Sequence, residues 1–160
     1  IFFYLFYVKE VRALPCDINI TWSSNTTYTI NQNNTYYCLN QSWYLEGVTA
    51  ISFSSGVQNT TLDCLNYNLD GNDASNTYGV YLTGSNTKNN IIKSCNITDF
   101  WVGLSLYDGP TNNTITNVNA SSNTYLGISL YNCNNNALTN NFLNFNRFKY
   151  IFITKKKYHL

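Results

Sequence analysis

The stretch Gly79-Val80-Tyr81-Leu82 returns twice along the chain, as Gly103-Leu104-Ser105-Leu106 and as Gly127-Ile128-Ser129-Leu130. These three copies, the echoes, are evenly spaced along the sequence. A second series recurs with nearly the same spacing: Asn90-Ile91-Ile92, Asn113-Thr114-Ile115 and Asn136-Ala137-Leu138. Because two separate positions recur together, the period belongs to a whole repeat. A period in the twenties is typical of a solenoid.

Each echo alternates between two kinds of position. Val80 and Leu82 would face one side of a strand and Tyr81 the other, which is the period of a β-strand with one buried face. The second series predicts another strand, with Ile92 inward, and a third apolar position follows at Ile97. A connection of about 23 residues is too short for a crossover helix plus further strands. We therefore predict an all-β parallel β-helix, with rungs of about 23–24 residues stacked about 4.8 Å apart.

The region from about Asn59 to Asn141 carries further motifs of this kind, among them Thr61-Leu62-Asp63-Cys64, Leu69-Asp70-Gly71 and Cys95-Asn96-Ile97-Thr98. It resembles the right-handed parallel β-helix repeats of pectate-lyase-like proteins. The resemblance is closest to the Asn/Thr/Tyr-rich repeats of archaeal and bacterial surface proteins and of NosD-type copper-accessory proteins. It implies a right-handed coil of roughly four to five rungs. It implies no single function, because this superfold carries lyases, hydrolases, adhesins and scaffolds.

The chain divides into four parts. Residues 1–15 begin with an apolar stretch too short to span a bilayer, which we interpret as the remnant of a signal peptide, or else as a cap strand. Residues 16–49 are predicted to form an N-terminal cap, and 50–153 the rungs. Residues 154–160, with Lys155-Lys156-Lys157, form an irregular tail. We interpret the chain as a fragment of a longer coil, with a reading-frame change as the alternative.

Composition bears on partners and compartment. Charged residues make up 11% of the chain and the formal net charge is +1, which argues against a nucleic-acid partner. Eight glycosylation sequons favour export, although an Asn- and Thr-rich chain produces some by chance: Asn19, Asn25, Asn33, Asn40, Asn59, Asn96, Asn112 and Asn119. We expect an extracellular or cell-surface location.

Five cysteines bear on the same question. Cys16 and Cys38 are the candidate disulfide, which would staple the cap of an exported protein. Cys64 and Cys95 occupy nearly the same station of successive rungs, and we expect them to be small apolar core residues. An odd count leaves at least one thiol free.

Catalytic patterns are missing from the sequence. Polysaccharide hydrolysis needs two or three carboxylates on one patch, and the chain's one histidine is His159 in the tail. Asp63 and Lys93 share an outward column one rung apart, which we interpret as a cross-strand ion pair rather than as part of a lyase site. We predict no catalytic residues.

Metal and cofactor chemistry also has weak support. Asp70 and Asp73 could hold Ca²⁺ in a long turn, but Asp, Asn and Gly are ordinary turn residues, and we favour the turn. Copper handling would need His, Met or exposed Cys ligands, and the chain has no Met. We expect no cofactor.

The outer surface offers aromatic residues. Counting every second residue from each echo's glycine predicts a column with Trp101, Tyr125 and Phe148, a trough of outward glycines, and a column with Tyr107 and Tyr131. These rings could stack on carbohydrate, or could stabilise the ladder without a ligand.

We therefore expect a non-enzymatic, exported β-helix module, a structural or adhesive part of a cell-surface protein that binds carbohydrate or other surface components. The alternative is a fragment of a carbohydrate-active enzyme, lyase-like or hydrolase-like. The aromatic final rung, Asn136 to Ile153, further predicts edge-to-edge self-association.

Overall fold

The structure, a computed structural model, describes residues 15–153, with side chains described through residue 150. Within this range the chain forms sixteen β-strands: β1 (Ile18–Ile20), β2 (Tyr28–Ile30), β3 (Tyr36–Leu39), β4 (Trp43–Tyr44), β5 (Ile51–Phe53), β6 (Thr61–Asp63), β7 (Asn68–Asp70), β8 (Tyr78–Thr83), β9 (Ile91–Lys93), β10 (Asn96–Thr98), β11 (Val102–Tyr107), β12 (Thr114–Thr116), β13 (Asn119–Ala120), β14 (Leu126–Tyr131), β15 (Ala137–Thr139) and β16 (Phe148–Ile153). The predicted signal-peptide remnant up to residue 14 and the tail at 154–160 lie outside the described residues.

The strands form three sheets that run along the coil. The first sheet has the order β1-β3-β6-β9-β12-β15, the second β2-β5-β8-β11-β14-β16, and the third β4-β7-β10-β13. Neighbouring strands pair in parallel throughout. The predicted all-β parallel β-helix is confirmed, with about five turns. The described residues contain no helix long and apolar enough to cross a membrane.

The core is built from columns of apolar side chains, one column from each sheet. Their members are register partners and are fully buried: Val80, Leu104 and Ile128 from the second sheet, Ile92 and Ile115 from the first, and Ile97 and Ala120 from the third. The three inward positions predicted from the repeat are therefore confirmed. Each column removes apolar surface from water along the axis, at about 25 cal/mol per Å² buried.

Residues 16–49, expected to form a cap, contribute strands to all three sheets. β1 pairs with β3, β2 with β5, and β4 with β7. The register partners Ile18, Tyr37, Leu62 and Ile92 are spaced unequally along the chain, and the interval grows at each step. Because the turns between these strands differ in length, the first rungs share the sheets of the later ones without sharing their sequence period.

The turns use asparagine in the left-handed backbone region, where its short polar side chain is tolerated. One turn position holds Asn in five successive rungs, with φ between 54° and 57°: Asn34, Asn59, Asn89, Asn112 and Asn135. Asparagine is therefore a turn residue here.

The glycines of the echoes face the core, so the predicted outward trough is wrong. A Cβ added to Gly79 would clash with Cγ2 of Ile97, and one added to Gly103 would lie 2.9 Å from Cβ of Ala120. Since the residue after each glycine also faces inward, the strict alternation breaks at this point, as it does in a β-bulge. The close approach of the second and third sheets requires a residue without a side chain here.

Candidate functional site

Two tyrosines form a ladder on the outer face of the second sheet. Tyr107 in β11 and Tyr131 in β14 are register partners. Their ring centroids lie 4.9 Å apart with an interplanar angle of 12°. The next partner of Tyr107 is Thr83, and Tyr107 remains 44% exposed. The predicted tyrosine column therefore exists as a stacked pair.

A second stacked pair lies at the start of the same strands. Trp101 and Tyr125 have ring centroids 5.0 Å apart and planes 12° apart. Phe148 meets Tyr125 edge-on at 5.4 Å, because its register partner is Leu126 rather than Tyr125. The guanidinium of Arg147 lies 5.9 Å from the centroid of Tyr125. Phe148 therefore departs by one residue from the predicted column.

Between the two pairs lie small and aliphatic side chains that are almost fully covered. Val102 and Leu126 are buried at 4% and 3% exposure, although they lie outside the central core. Ser105 and Ser129 are register partners in the next outward column. Ser105 is 4% exposed, so it is covered although it lies in an outward column. We call this surface, together with Trp101, Tyr125, Phe148, Tyr107 and Tyr131, the aromatic face.

The aromatic face can contact a ligand in limited ways. In a stacked pair each ring covers one face of the other, so the outer ring faces and the ring edges remain for a partner. The five residues predicted as a stacking surface form two separate groups, Trp101 with Tyr125 and Phe148, and Tyr107 with Tyr131. Within each group the rings contact each other, which is the contact that the alternative, a ladder without a ligand, also requires.

The predicted ion pair of Asp63 and Lys93 is present. Nζ of Lys93 lies 3.0 Å from Oδ2 of Asp63, and the hydroxyl of Tyr36 donates to the same oxygen at 2.8 Å. The hydrogen bond with Tyr36 raises the pKa of Lys93, as do the bond to Asp63 and its charge, against the opposing effect of burial. A lysine with a raised pKa stays protonated and is poorly suited to act as a base.

Three aspartates lie close together beside the long turn after β7. Asp70 accepts a hydrogen bond from the hydroxyl of Thr98 at 2.9 Å. Burial raises the pKa of Asp99, and a hydrogen bond with Asp70 and the charges of Asp70 and Asp73 act in the same direction. Across residues 15–153 no group of three or more His, Cys, Asp and Glu side chains is arranged to hold a metal ion.

Two disulfides join successive rungs. Cys16 bonds to Cys38, with 5.8 Å between their Cα atoms. Cys64 bonds to Cys95, with 4.7 Å between Cα atoms, so the expectation that these two are plain core residues is wrong. Their near-equivalent stations bring the two Cβ atoms within bonding reach. Cys133 is a free, buried cysteine.

A cavity that the repeat pattern did not reveal lies near the start of the coil. It has a volume of about 530 Å³ and is lined by residues from three separate segments, among them Trp22, Tyr44, Glu46 and Asn72. The sequence signal was weak, since none of these residues belongs to the echoes or to the second series.

Comparison with known proteins identifies the family. A family model described as right handed beta helix region matches residues 17–157. A search of the curated proteins and a search of the solved structures each found no match. The family match spans most of the chain, and it agrees with the three parallel sheets. The chain belongs to the right-handed β-helix region family.

Proposed function

We propose that this β-helix is a non-enzymatic, exported module that serves as a structural or adhesive part of a cell-surface protein. The observation that carries the proposal is the pair of rung-to-rung disulfides, Cys16 to Cys38 and Cys64 to Cys95. Disulfides form and persist in oxidising compartments outside the cytosol. They suit a module that must keep its shape at a cell surface.

Export is tested by the redox state and location of the chain in its host. Mass spectrometry of the unreduced protein should find both disulfides and one free thiol, and the protein on intact cells should be sensitive to added protease. A chain recovered with five reduced cysteines from the cytosol would contradict the proposal. The sequons, six of them at exposed asparagines, add a second readout, since a glycosidase that removes N-linked glycans should lower the apparent mass.

The aromatic face is the surface that we propose for carbohydrate. Its support is the two aromatic stacks along β11 and β14, with Tyr107 left 44% exposed. Retention of the protein on immobilised polysaccharides should fall for the double variant Tyr107→Ala/Tyr131→Ala. Tyr67→Ala, which removes an exposed tyrosine elsewhere, should be retained like the parent. Equal retention of the parent and both variants would contradict carbohydrate binding at the aromatic face.

A fragment of a carbohydrate-active enzyme is the second candidate. The observation that favours it is Asp99, whose pKa is raised beside Asp70 and Asp73, because a general acid needs a carboxyl group that holds its proton. Under the leading proposal the chain releases no reducing or unsaturated sugar from polygalacturonate, alginate or neutral glycans. Steady release that Asp99→Asn abolishes would establish the enzyme instead.

Self-association remains part of the proposal. The last described rung exposes Phe142 at 54%, Phe145 at 86% and Phe148 at 45%, and the outer edges of β15 and β16 can template another strand. Light scattering should show growth in mass as salt is raised, because salt screens the charge of Lys155-Lys156-Lys157, which follow this rung in the sequence, within about 10 Å at 0.1 M. A constant monomer mass from low to high salt would contradict it.

A further inference from the structure

The cavity of about 530 Å³ has the size and the wall of a small-ligand site. Such pockets commonly measure about 300–1,000 Å³ and combine apolar walls with a few polar groups. Trp22 and Tyr44 supply the aromatic wall, and Glu46 and Asn72 stand among the polar groups. Tyr44 is 63% exposed, so its ring is available at the opening.

A smaller cavity of about 70 Å³ shares Trp22 and Ser24 with the larger one. Trp43 also lines it and is 1% exposed. The indole N–H groups of Trp22 and Trp43 are buried and have no hydrogen-bond partner within the described part of the chain. Buried donors are normally paired, and both of these donors belong to residues that line the small cavity, so an acceptor from outside the protein would satisfy them there. A volume of this size can hold such a group.

The polar groups of the larger cavity are held in place by the backbone. The side chain of Asn25 donates to the carbonyl oxygen of Glu46 and accepts from its N–H, both at 2.8 Å. Oδ1 of Asn72 accepts from the N–H of Gly47 at 2.9 Å. These contacts leave the Glu46 carboxylate and the Asn72 amide nitrogen without a protein partner among residues 15–153. The site therefore offers one charged acceptor and one donor at defined positions.

We propose that the two cavities form one binding site for a neutral hexopyranose residue, either a free sugar or a unit of a longer glycan. The apolar face of the ring packs on the exposed ring of Tyr44, beside Trp22. Ring hydroxyls donate to Glu46 and accept from Asn72, and a hydroxyl oxygen in the smaller cavity accepts from the indole N–H groups. This site is separate from the aromatic face and does not depend on it.

The charge and the donors of the site favour a neutral sugar over an acidic sugar and over an ammonium ion. Glu46 is the one charged side chain among the described residues that line the cavity, so an acidic sugar would meet a like charge without a compensating cation. A simple ammonium ion could pair with Glu46 and the aromatic rings. It has no lone pair, however, and would leave both indole donors unpaired.

Titration of the full 160-residue chain with methyl glucopyranoside, galactopyranoside and mannopyranoside tests the proposal. The chain has three tryptophans, and the Trp101→Phe variant keeps only Trp22 and Trp43. Its tryptophan fluorescence therefore reports on the cavity. We expect saturable binding of at least one pyranoside, with a matching calorimetric isotherm and no comparable binding of galacturonate or tetramethylammonium. If no neutral pyranoside saturates, or if either ion binds more tightly, the proposal is overturned.

Two variants locate the binding. Tyr44→Ala and Glu46→Gln alter exposed side chains and should each weaken the sugar about tenfold, with thermal melting unchanged. Glu46→Gln should also narrow the discrimination against galacturonate, and Tyr67→Ala is the matched control. Unchanged affinity in both cavity variants overturns the proposal. If Tyr107→Ala/Tyr131→Ala abolishes binding instead, the aromatic face is the site, and the proposed function stands without this cavity.

Discussion

The amide nitrogen of Asn113 donates to Oδ1 of Asn136 in the next rung at 3.1 Å. The same oxygen accepts the backbone N–H of Asn113 at 2.9 Å. Asn90 repeats this arrangement one rung earlier, with distances of 3.1 and 3.0 Å to Oδ1 of Asn113. Because Asn113 is fully buried, the ladder satisfies backbone groups that the turn itself leaves unpaired.

Asn113→Ala should lower the free energy of unfolding by about 1–3 kcal/mol, because the buried N–H of Asn90 loses its partner. The carbonyl of Thr87 loses the Asn113 amide but keeps the N–H of Thr111. Urea denaturation followed by circular dichroism measures the change. Asn134→Ala, at an exposed position, should stay within about 0.5 kcal/mol of the parent. Similar values for the two variants would show that the ladder does not stabilise the coil.

Gly103→Ala should destabilise the coil by about 1–3 kcal/mol, the cost of overpacking. Its Cβ would lie 2.7 Å from the carbonyl oxygen of Gly127 and 2.8 Å from Nδ2 of Asn123. At Gly47, φ is +67° and no atom lies within 4 Å of an added Cβ, so Gly47→Ala should cost about 1 kcal/mol for the backbone alone. A smaller loss at Gly103 than at Gly47 would contradict the inward orientation of the echo glycines.

Phe145→Asn should stabilise the protein. Phe145 has a φ of 58°, as do Asp99 and Ser122 at the equivalent turns, and a bulky residue is strained in this region. Its ring is 86% exposed, so the substitution loses little packing and should gain about 1 kcal/mol. Thermal melting measures the gain. Phe142→Asn, which relieves no positive φ, is the control and should not raise the melting temperature.

Asp99→Asn should stabilise the protein at neutral pH more than in acid. Burial, followed by contact with Asp70, raises the pKa of Asp99 in the folded state. The folded state therefore favours the protonated form, whose stabilising effect is full below the unfolded pKa and is lost as pH rises through the folded pKa. Urea denaturation between pH 3 and pH 7 compares parent and variant. An advantage of the variant that is the same across this range would mean that the effect comes from the turn backbone alone, where Asp99 has a φ of 58°.

Much of the fold could be predicted because the repeat is short and its strands are regular. In each echo apolar residues such as Val80 and Leu82 alternate with an outward residue, and the echoes are evenly spaced. This pattern determines which side chains face the axis and which residues become partners in the next rung. The ion pair of Asp63 and Lys93 followed from the same register. Such statements need only the period and the direction of successive side chains.

The candidate sites were predicted less completely, because they depend on turn lengths. Phe148 lies opposite Leu126, since the last connection is one residue shorter than the predicted column assumed. Cys64 and Cys95 are 31 residues apart, and a longer turn had to place them side by side. Neither the turn path nor the distance between the two sulfur atoms is encoded in a period.

The sequence by itself determined the parallel coil, its inward columns and the asparagine turns, because backbone pairing and burial act between equivalent positions of neighbouring repeats. The tertiary structure decided the direction of Gly103, the Cys64–Cys95 bond and the cavity beside Trp22, Tyr44 and Asn72. These features arise at corners, where segments of unequal length meet and the side chains of different sheets compete for space. The physical reason is that the turns at these corners differ in length, so the repeat does not fix which side chains meet there, and local packing and hydrogen bonds do.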